Sequence, residues 1–346
     1  MQIELDRSSR EPIYRQLVTI LQQRIRSGAL PPQTRLPTVR QLAEQLGVTR
    51  LTVHSAYAEL QAGGWVEATV GRGTFVASRI EELLTPPVAQ FGNEPTPAGM
   101  MSDILRMTQL PGLIALAKAD PALDHFPMRN WQRANEIALE SGGSLLMSYT
   151  TAQGDIQLRS VLAEVVRERG VSAGPDEIIV TAGVTNGMAL LTQVLTRPGD
   201  TVLVEQPTYL GMLNILNNNG VRAVGIPVDG EGLITSALEE ALRSERPAYL
   251  YTMPTFQNPT GVCMSPARRA ELLRLAERYN LLIVEDDIYG RMAYEGPPPS
   301  ALKALDRNGH VIYLSSFSKS LMPGLRMGYT VARPDLISRL VYRRQA

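Results

Sequence analysis

The stretch Val311-Ile312-Tyr313-Leu314-Ser315-Ser316-Phe317-Ser318-Lys319-Ser320 decides how most of this 346-residue chain folds. Residues 311 to 315 are mainly apolar, and β-branched and aromatic side chains are frequent among them, which predicts a buried strand. Lys319 follows shortly after, among small hydroxyl side chains. Because a lysine is rarely buried without a partner or a function, a lysine at a strand end indicates a chemical site.

Other strands lie on both sides of this stretch and alternate with helices. Helical patterns occur between several of them, such as 266–280, which Ser265 can cap. Strands separated by crossover helices imply an α/β domain with a mainly parallel sheet. The predicted strands are 178–182, 201–205, 223–227, 248–252, 281–285, 311–315 and 327–332.

Several residues at these strand ends suit one cofactor. The amine of Lys319 can form a Schiff base, and Asp286 can pair with a ring nitrogen and keep it protonated, which makes the ring an electron sink. Tyr289, three residues after Asp286, can reach the same ligand. Asn258 supplies an amide donor for a phenolate oxygen, and Tyr209 offers an aromatic face on which a ring can stack. This chemistry points to pyridoxal phosphate.

Phosphate binding is predicted from two groups of residues. The segment Gly183-Val184-Thr185-Asn186-Gly187 opens a helix after a strand, so its backbone N–H groups form a natural phosphate site. Arg326 adds a planar cation, and the hydroxyls of Ser316 and Ser318 add further donors.

Taken in chain order, these motifs resemble the fold type I aminotransferases over about residues 112 to 346. The resemblance implies that Lys319 forms the aldimine, that Asp286 meets the pyridine nitrogen, and that Asn258 and Tyr289 meet the phenolic oxygen. It also implies Tyr209 as the stacking ring, Ser316, Ser318, Arg326 and the backbone of Val184 and Thr185 at the phosphate, and Tyr149 at a partner subunit's phosphate. In that family a small C-terminal domain follows, so we expect this domain to be C-terminally incomplete.

The first 78 residues have a different pattern. A helical period over 11–26 precedes two further helices, 38–46 and 49–62, whose first residues are threonines that can cap them. Two helices joined by a short turn with a glycine predict a helix-turn-helix. Residues 63–76 alternate like two strands around Gly71-Arg72-Gly73, which predicts a hairpin wing.

This unit resembles the GntR family of bacterial transcription regulators over about residues 10 to 78. The matching stretches are Leu36-Pro37-Thr38-Val39-Arg40-Gln41-Leu42-Ala43 and Gly47-Val48-Thr49-Arg50-Leu51-Thr52-Val53, followed by the wing. Arg50 begins the recognition helix, from which the major groove is reached, and arginine can bind guanine bidentately. The resemblance implies contacts to the phosphates or base edges of double-stranded DNA from Arg40, Thr49, Arg50, Thr52, His54 and Arg72.

Composition and charge agree with two folded domains. The chain is 44% hydrophobic and longer than one core usually holds. Residues 1–78 contain nine arginines and six acidic residues, a net charge of +3, which permits nucleic-acid binding. The single cysteine, Cys263, excludes an intramolecular disulfide and a thiolate metal cluster, and no apolar stretch approaches membrane-spanning length. We therefore expect a soluble, cytoplasmic protein.

The predicted organisation has three segments: a DNA-binding winged helix-turn-helix (1–78), a Pro- and Gly-rich linker (79–112) and an aminotransferase-like domain (113–346). This is the layout of the MocR subfamily of GntR regulators. The resemblance implies a dimeric, pyridoxal-phosphate-dependent regulator that senses an amino compound or the cofactor through Lys319. Two alternatives stay open: an aminotransferase with a vestigial DNA-binding domain, and a regulator whose aminotransferase-like domain is purely structural.

Overall fold

The computed structural model describes residues 3, 5–7, 9, 11–26, 29–69, 73–77, 99, 107, 119, 121, 126–143 and 147–345. The chain divides into two compact units, Met1–Asn93 and Glu94–Ala346. Each has its own hydrophobic core. Of the predicted linker, only Gly99 and Met107 lie among the described residues, so the linker stays a prediction.

The smaller unit is a three-helix domain with a hairpin. Its elements are α1 Ile13–Arg26, α2 Val39–Leu46, α3 Arg50–Ala62, β1 Val66–Thr69 and β2 Gly73–Val76. The two strands are antiparallel, with Val66 opposite Val76. The three helices pack through fully buried leucines, among them Leu17, Leu42 and Leu60. The helix-turn-helix and the hairpin predicted from the sequence are confirmed.

Local capping explains where these helices begin and end. The Thr38 hydroxyl accepts a hydrogen bond from the Gln41 amide at 3.3 Å, and Gln41 Oε1 accepts one from the Thr38 amide at 3.0 Å. This capping box fixes the start of α2. Gly47 ends α2 with φ 61°, a left-handed conformation that glycine adopts without steric cost. Thr49 then caps α3 by accepting a hydrogen bond from the Thr52 amide at 3.2 Å.

The larger unit alternates strands and helices along the chain. Its helices are α4 Met128–Gly142, α5 Ile156–Arg167, α6 Val184–Leu195, α7 Leu210–Asn218, α8 Thr235–Ser244, α9 Pro266–Tyr279, α10 Leu302–Leu305 and α11 Pro334–Gln345. Its strands are β3 Ile178–Thr181, β4 Thr201–Gln206, β5 Arg222–Asp229, β6 Gly232–Leu233, β7 Tyr249–Thr252, β8 Ile283–Asp286, β9 Val311–Ser316 and β10 Gly328–Val331.

These strands form one eight-stranded sheet in the order β3-β10-β9-β8-β7-β4-β5-β6. Strands β5, β4, β7, β8 and β9 are parallel, whereas β10 is antiparallel to both β9 and β3, and β6 is antiparallel to β5. The mainly parallel sheet is therefore confirmed, and the predicted strands differ from the observed ones by at most two residues at an end. Strand β6 was not predicted, because two residues are too few to show a period.

Helices cover both faces of the sheet, because the apolar runs of the strands place apolar side chains on both faces. In β4, Val202 and Val204 belong to a core with α6, α7 and α11, whereas Leu203 belongs to a core with α8 and α9. Successive side chains of a strand point to opposite faces, so a continuous apolar run indicates a sheet buried on both sides.

The topology brings the ends of several strands to one edge. The parallel strands β4, β7, β8 and β9 end there, and the antiparallel β10 begins there. Gly328, the first residue of β10, lies opposite both Ser316 and Thr181. A Cβ atom at Gly328 would lie 2.7 Å from the backbone of Gly183, so any other residue at this position would force the backbone to shift. We refer to this edge of the sheet as the carboxyl edge.

Candidate functional site

Asp286 lies at the centre of the carboxyl edge. It is buried and is the last residue of β8, whereas the sequence predicted that the strand ends at Glu285 and that Asp286 follows it. The Tyr251 hydroxyl donates to Asp286 Oδ2 at 2.9 Å, and the Ile288 amide donates to Oδ1 at 3.1 Å. Burial raises the pKa of Asp286 to about 7 despite these hydrogen bonds. A cationic ring nitrogen would be a favourable partner here, because an opposite charge offsets the penalty of burial.

Besides Tyr251, two other tyrosines lie within electrostatic reach of Asp286. Burial raises the pKa of Tyr209, a hydrogen bond with Thr185 lowers it, and the Asp286 charge raises it further. Burial also raises the pKa of Tyr289, as does the Asp286 charge, whereas a hydrogen bond with Asn258 lowers it. The structure therefore brings together these five residues, which the sequence predicted from four separate segments.

The loop that carries Asn258 is held by its buried neighbour Gln257. The Gln257 side-chain amide donates to the Pro207 carbonyl at 2.8 Å and to Glu205 Oε2 at 3.2 Å, and its oxygen accepts from the Thr260 amide at 2.9 Å. These bonds join the asparagine loop to the end of β4. Burial raises the pKa of Glu205, and the hydrogen bonds that it accepts from Thr252, Met253 and Gln257 reduce this rise. Sequence reasoning missed Glu205 and Gln257; the position of Gln257 beside Asn258 was the available signal.

The start of α6 forms an anion-binding corner with Arg326. Gly183 precedes the helix with φ 95°, and no side chain caps the first turn. Arg326 Nη2 donates to the Ala182 carbonyl at 3.0 Å, and a Cβ atom at Gly183 would lie 3.0 Å from that nitrogen. Ser316 and Ser318 are buried nearby, and the Ser318 amide donates to Ser316 Oγ at 3.3 Å. Backbone N–H groups, a guanidinium and hydroxyls thus meet at one place, as phosphate binding requires.

Lys319 follows Ser318 in the turn after β9 and is half-buried. Because β8 and β9 are parallel neighbours with Asp286 opposite Leu314, this turn lies at the same edge as Asp286. Tyr149 is fully exposed on the surface of the larger unit. Its contact with a partner subunit stays a prediction.

The residues at the carboxyl edge fit pyridoxal phosphate in each of its functional parts. The α6 corner with Arg326 suits the phosphate, Asp286 suits the ring nitrogen, and an amine is at hand in Lys319. The pair of Asn258 and Tyr289 suits the phenolic oxygen. Nothing in this donor set conflicts with the cofactor.

A buried ion pair between Arg169 and Asp287 stabilises the chain directly after β8. Arg169 donates through Nε to Asp287 Oδ2 at 2.7 Å and through Nη2 to Oδ1 at 3.2 Å, and the Tyr313 hydroxyl donates to Oδ2 at 2.9 Å. The Asp287 amide also donates to the Leu314 carbonyl at 2.9 Å. Asp287 directly follows Asp286, so this network holds the site carboxylate in position. The sequence did not predict this pair.

In the smaller unit, the predicted DNA-contacting residues lie on the surface of the helix-turn-helix. Four of them are exposed and Thr52 is half-buried. On α3 the opposite face is buried, through Val53, Ala56, Tyr57 and Leu60. The exposed four are Arg40, Thr49, Arg50 and His54. Arg72, at the predicted wing tip, lies outside the described residues.

The described residues contain neither a candidate membrane span nor a candidate metal site. Among its helices there is none with the length and apolar character that a membrane span needs. Within the same residues, no cluster of three or more His, Cys, Asp or Glu side chains is placed to bind a metal ion.

Comparison with known families and proteins identifies relatives for both units. Residues 111–345 match aminotransferase class I and II, and residues 13–76 match the bacterial regulatory proteins of the gntR family. The chain is 33% identical over 339 residues to the uncharacterized HTH-type transcriptional regulator YdfD of Bacillus subtilis, covering 95% of this chain and 69% of that protein. It is 34% identical over 342 residues to the probable rhizopine catabolism regulatory protein MocR of Rhizobium meliloti, covering 96% and 68%.

Solved aminotransferase structures resemble a large part of the chain. The kynurenine aminotransferase of Pyrococcus horikoshii, in complex with PMP, KYN as substrates and KYA as products, is 33% identical with a TM-score of 0.67, covering 77% of this chain and 66% of that one. LysN, the alpha-aminoadipate aminotransferase of Thermus thermophilus, complexed with N-(5'-phosphopyridoxyl)-L-leucine, is 32% identical with a TM-score of 0.64, covering 74% and 64%. The chain spans about two thirds of the length of these relatives.

Proposed function

Because the chain belongs to the MocR-type GntR regulators, which join a helix-turn-helix to an aminotransferase class I and II domain, we propose that it is a transcription regulator whose operator binding depends on pyridoxal 5'-phosphate. One observation supports the proposal: residues that suit each part of the cofactor and a helix-turn-helix whose second helix has an exposed first turn occur in the same chain. The ligand that it senses is an amino compound or the cofactor itself.

Each residue of the carboxyl edge has a role in this proposal. When bound, the cofactor supplies an electrophilic carbon that amines attack and a ring that withdraws electrons. Asp286 keeps a proton on the ring nitrogen, and Tyr209 stacks on the ring. The Asn258 amide and the Tyr289 hydroxyl, which lie close enough for Asn258 to lower the pKa of Tyr289, each donate to the phenolic oxygen.

The remaining roles concern attachment and the phosphate. The amine of Lys319 would hold the cofactor through its aldehyde carbon with release of water, and an effector amine would compete with Lys319 for that carbon. The backbone amides of Val184 and Thr185 at the start of α6 bind the phosphate together with Arg326. The hydroxyls of Ser316, the last residue of β9, and of Ser318, the second residue after that strand, complete this site.

Sensing requires that the ligand has different affinities for two states of the protein. Displacement of Lys319 changes the contacts of its turn, which also carries the buried Ser318. Coupling of about 1 to 3 kcal/mol, typical of allostery, would change operator affinity by about 5- to 150-fold, and DNA would change effector affinity by the same factor. A homodimer would present two recognition helices to a repeated operator and Tyr149 to its partner.

Transamination is the second candidate function. Lys319 and Asp286 favour it over a purely structural domain, which has no need for a lysine or an acid at these positions. Single-turnover spectra with a panel of L-amino acids distinguish the two functions. Turnover in the ordinary enzyme range of about 1 to 10³ s⁻¹ would favour the enzyme over the sensor.

The cofactor claim is tested by absorbance and by covalent labelling. Purified protein mixed with pyridoxal 5'-phosphate should turn yellow, and borohydride reduction should fix the label on one lysine. The sequence contains three lysines, Lys118, Lys303 and Lys319, so peptide mapping has a clear outcome. Lys319→Ala should lose the colour and the label. Lys303→Arg should keep both, since it preserves the ion pair with Asp306. A label on another lysine in the unaltered protein would show that the assignment is wrong.

The regulatory claim is tested by operator titrations at fixed salt, because affinity for DNA varies steeply with salt. Duplexes are first selected from a random pool with the unaltered protein. Dissociation constants are then measured for the apoprotein, the cofactor-bound protein and the cofactor-bound protein with candidate amino compounds. Identical constants in all three states would leave the larger unit without a sensing role.

A further inference from the structure

Leu51 stands out on the surface of the smaller unit. It is the second residue of α3, and its side chain is 73% exposed, whereas Val53, Ala56 and Leu60 of the same helix are fully buried. Single exposed leucines are common on protein surfaces, so exposure alone says little. Leu51 also lies in the first turn of the recognition helix, and that turn is the part of a helix-turn-helix that reaches base edges. An exposed leucine at this position is therefore placed to contact DNA.

The neighbours of Leu51 suit a polyanion. Arg50 precedes it, and His54 lies three residues later on the same side of the helix; both are exposed. The sequence of α3 contains one carboxylate, Glu59, and its charge acts on Arg15 of α1. Helix α3 therefore presents a cation and an imidazole beside Leu51, and its own carboxylate lies eight residues, about two turns, further along the helix. This charge pattern favours DNA over an acidic protein surface as the occupant of this face.

We propose that Leu51 contacts the 5-methyl group of a thymine in the major groove, beside the base or phosphate that Arg50 binds. Leu51 has no hydrogen-bonding atom, so it can select a base only through an apolar contact. The thymine methyl is the apolar group that the bases present in the major groove. This inference rests on the proposed function. It adds an apolar contact that determines specificity, which the polar side chains of the predicted DNA-contacting residues cannot make.

Because Leu51 is exposed, the effect of its substitution on DNA recognition can be measured separately from an effect on folding. The side chain contributes little to the core, and alanine has the highest helix propensity, so Leu51→Ala should leave the helix intact. Leu51→Gln keeps the length of the side chain but ends it in a polar amide, and it serves as a second variant. Gln61→Ala is the matched control, because Gln61 is exposed in the last turn of the same helix, far from the N-terminal turn.

The experiment removes the methyl group from the DNA and the leucine from the protein in the same cycle. A duplex selected by the unaltered protein is resynthesised with each thymine replaced singly by deoxyuridine. At one thymine, loss of the methyl should weaken binding of the unaltered protein about fourfold, the effect of one buried methylene-sized group. Leu51→Ala and Leu51→Gln should bind the parent duplex more weakly and should not distinguish thymine from uracil at that position. Gln61→Ala should behave as the unaltered protein does.

The outcomes separate this inference from the proposed function. If no duplex is enriched in the selection, specific DNA reading fails and the inference fails with it. If a duplex is enriched but no thymine responds to loss of its methyl, only the inference is overturned. The same holds if the sensitive thymine stays equally sensitive in both Leu51 variants. Thermal melting of each variant, followed by circular dichroism, shows whether the variant is folded at the temperature of the binding assay, so that weaker binding is not attributed to Leu51 when it results from unfolding.

Discussion

The ion pair between Asp287 and Arg169 leads to a quantitative prediction for the larger unit. The side chains of the pair are only 4% (Arg169) and 0% (Asp287) exposed, and their closest atoms are 2.7 Å apart. Burial lowers the pKa of Arg169, but the hydrogen bonds and charge of Asp287 outweigh it and raise the pKa above its usual value. Replacing Asp287 by alanine would leave Arg169 charged, buried and without this carboxylate, and the Tyr313 hydroxyl would lose its acceptor.

The magnitude follows from the loss of one partner of a buried pair, which costs about 3 to 5 kcal/mol. Asp287→Ala should lower the free energy of unfolding of the larger unit by that amount, a fall of roughly 6 to 20 °C in its melting temperature. The matched control is Glu136→Ala. It removes the acid of an ion pair with Arg133 whose side chains are 61% and 64% exposed, and it should cost less than about 1 kcal/mol.

The assay is urea and thermal unfolding followed by circular dichroism, with the transition of the larger unit fitted separately from that of the smaller unit. The double variant Arg169→Met/Asp287→Leu should recover much of the loss, because replacing both partners by apolar residues leaves no uncompensated charge. A loss in Asp287→Ala no larger than that in Glu136→Ala would refute the reasoning. Failure of the double variant to recover stability would show that lost packing, and not an unpaired charge, causes the effect.

Three further predictions concern the site and the DNA-reading face. Burial raises the pKa of Asp286 to about 7 in the folded apoprotein, so the stabilisation from its proton is fully present below about pH 4 and is lost as the pH rises toward 7. The difference in unfolding free energy between wild type and Asp286→Asn should therefore fall across this window, and a flat difference would contradict it. Gly328→Ala should cost about 1 to 3 kcal/mol in urea unfolding, because its Cβ would meet backbone at 2.7 Å, whereas Gly324→Ala, with open space around its Cβ, should cost much less. Arg50→Ala should weaken binding to the selected duplex by about 1 to 3 kcal/mol and relax preference at one base pair; uniform weakening across unrelated sequences would indicate a phosphate contact instead.

Much of the fold could be predicted because its signals are local. The capping box of Thr38 and Gln41 and the left-handed Gly47 involve residues a few positions apart, so the helix-turn-helix is visible in the sequence. The strands of the larger unit are short apolar runs between turn residues, and their ends were correct to within two residues. Parallel strands bring their carboxyl ends to one edge, so residues such as Asp286 and Asn258 could be assigned to one site before any contact was known.

Other features could not be predicted, because they depend on residues far apart in the chain. Arg169 and Asp287 are 118 positions apart, and neither is unusual in its own segment. Tyr251 reads as an ordinary aromatic residue of a strand, yet its hydroxyl donates to Asp286. Glu205 reads as the polar end of a strand, and its role in holding Gln257 appears only when β4 and the asparagine loop are adjacent.

The order of the elements could be predicted from the sequence, because periodicity and capping act over short distances, and the two families and the candidate cofactor residues came from the resemblance of short motifs. Only the tertiary structure decided which charges are buried and which side chains are exposed. Burial gives Asp286 its raised pKa and ties Asp287 to Arg169, and exposure leaves Leu51 and Arg50 accessible on one helix. The physical reason is that desolvation depends on everything packed around a group, and that packing is set by the whole fold.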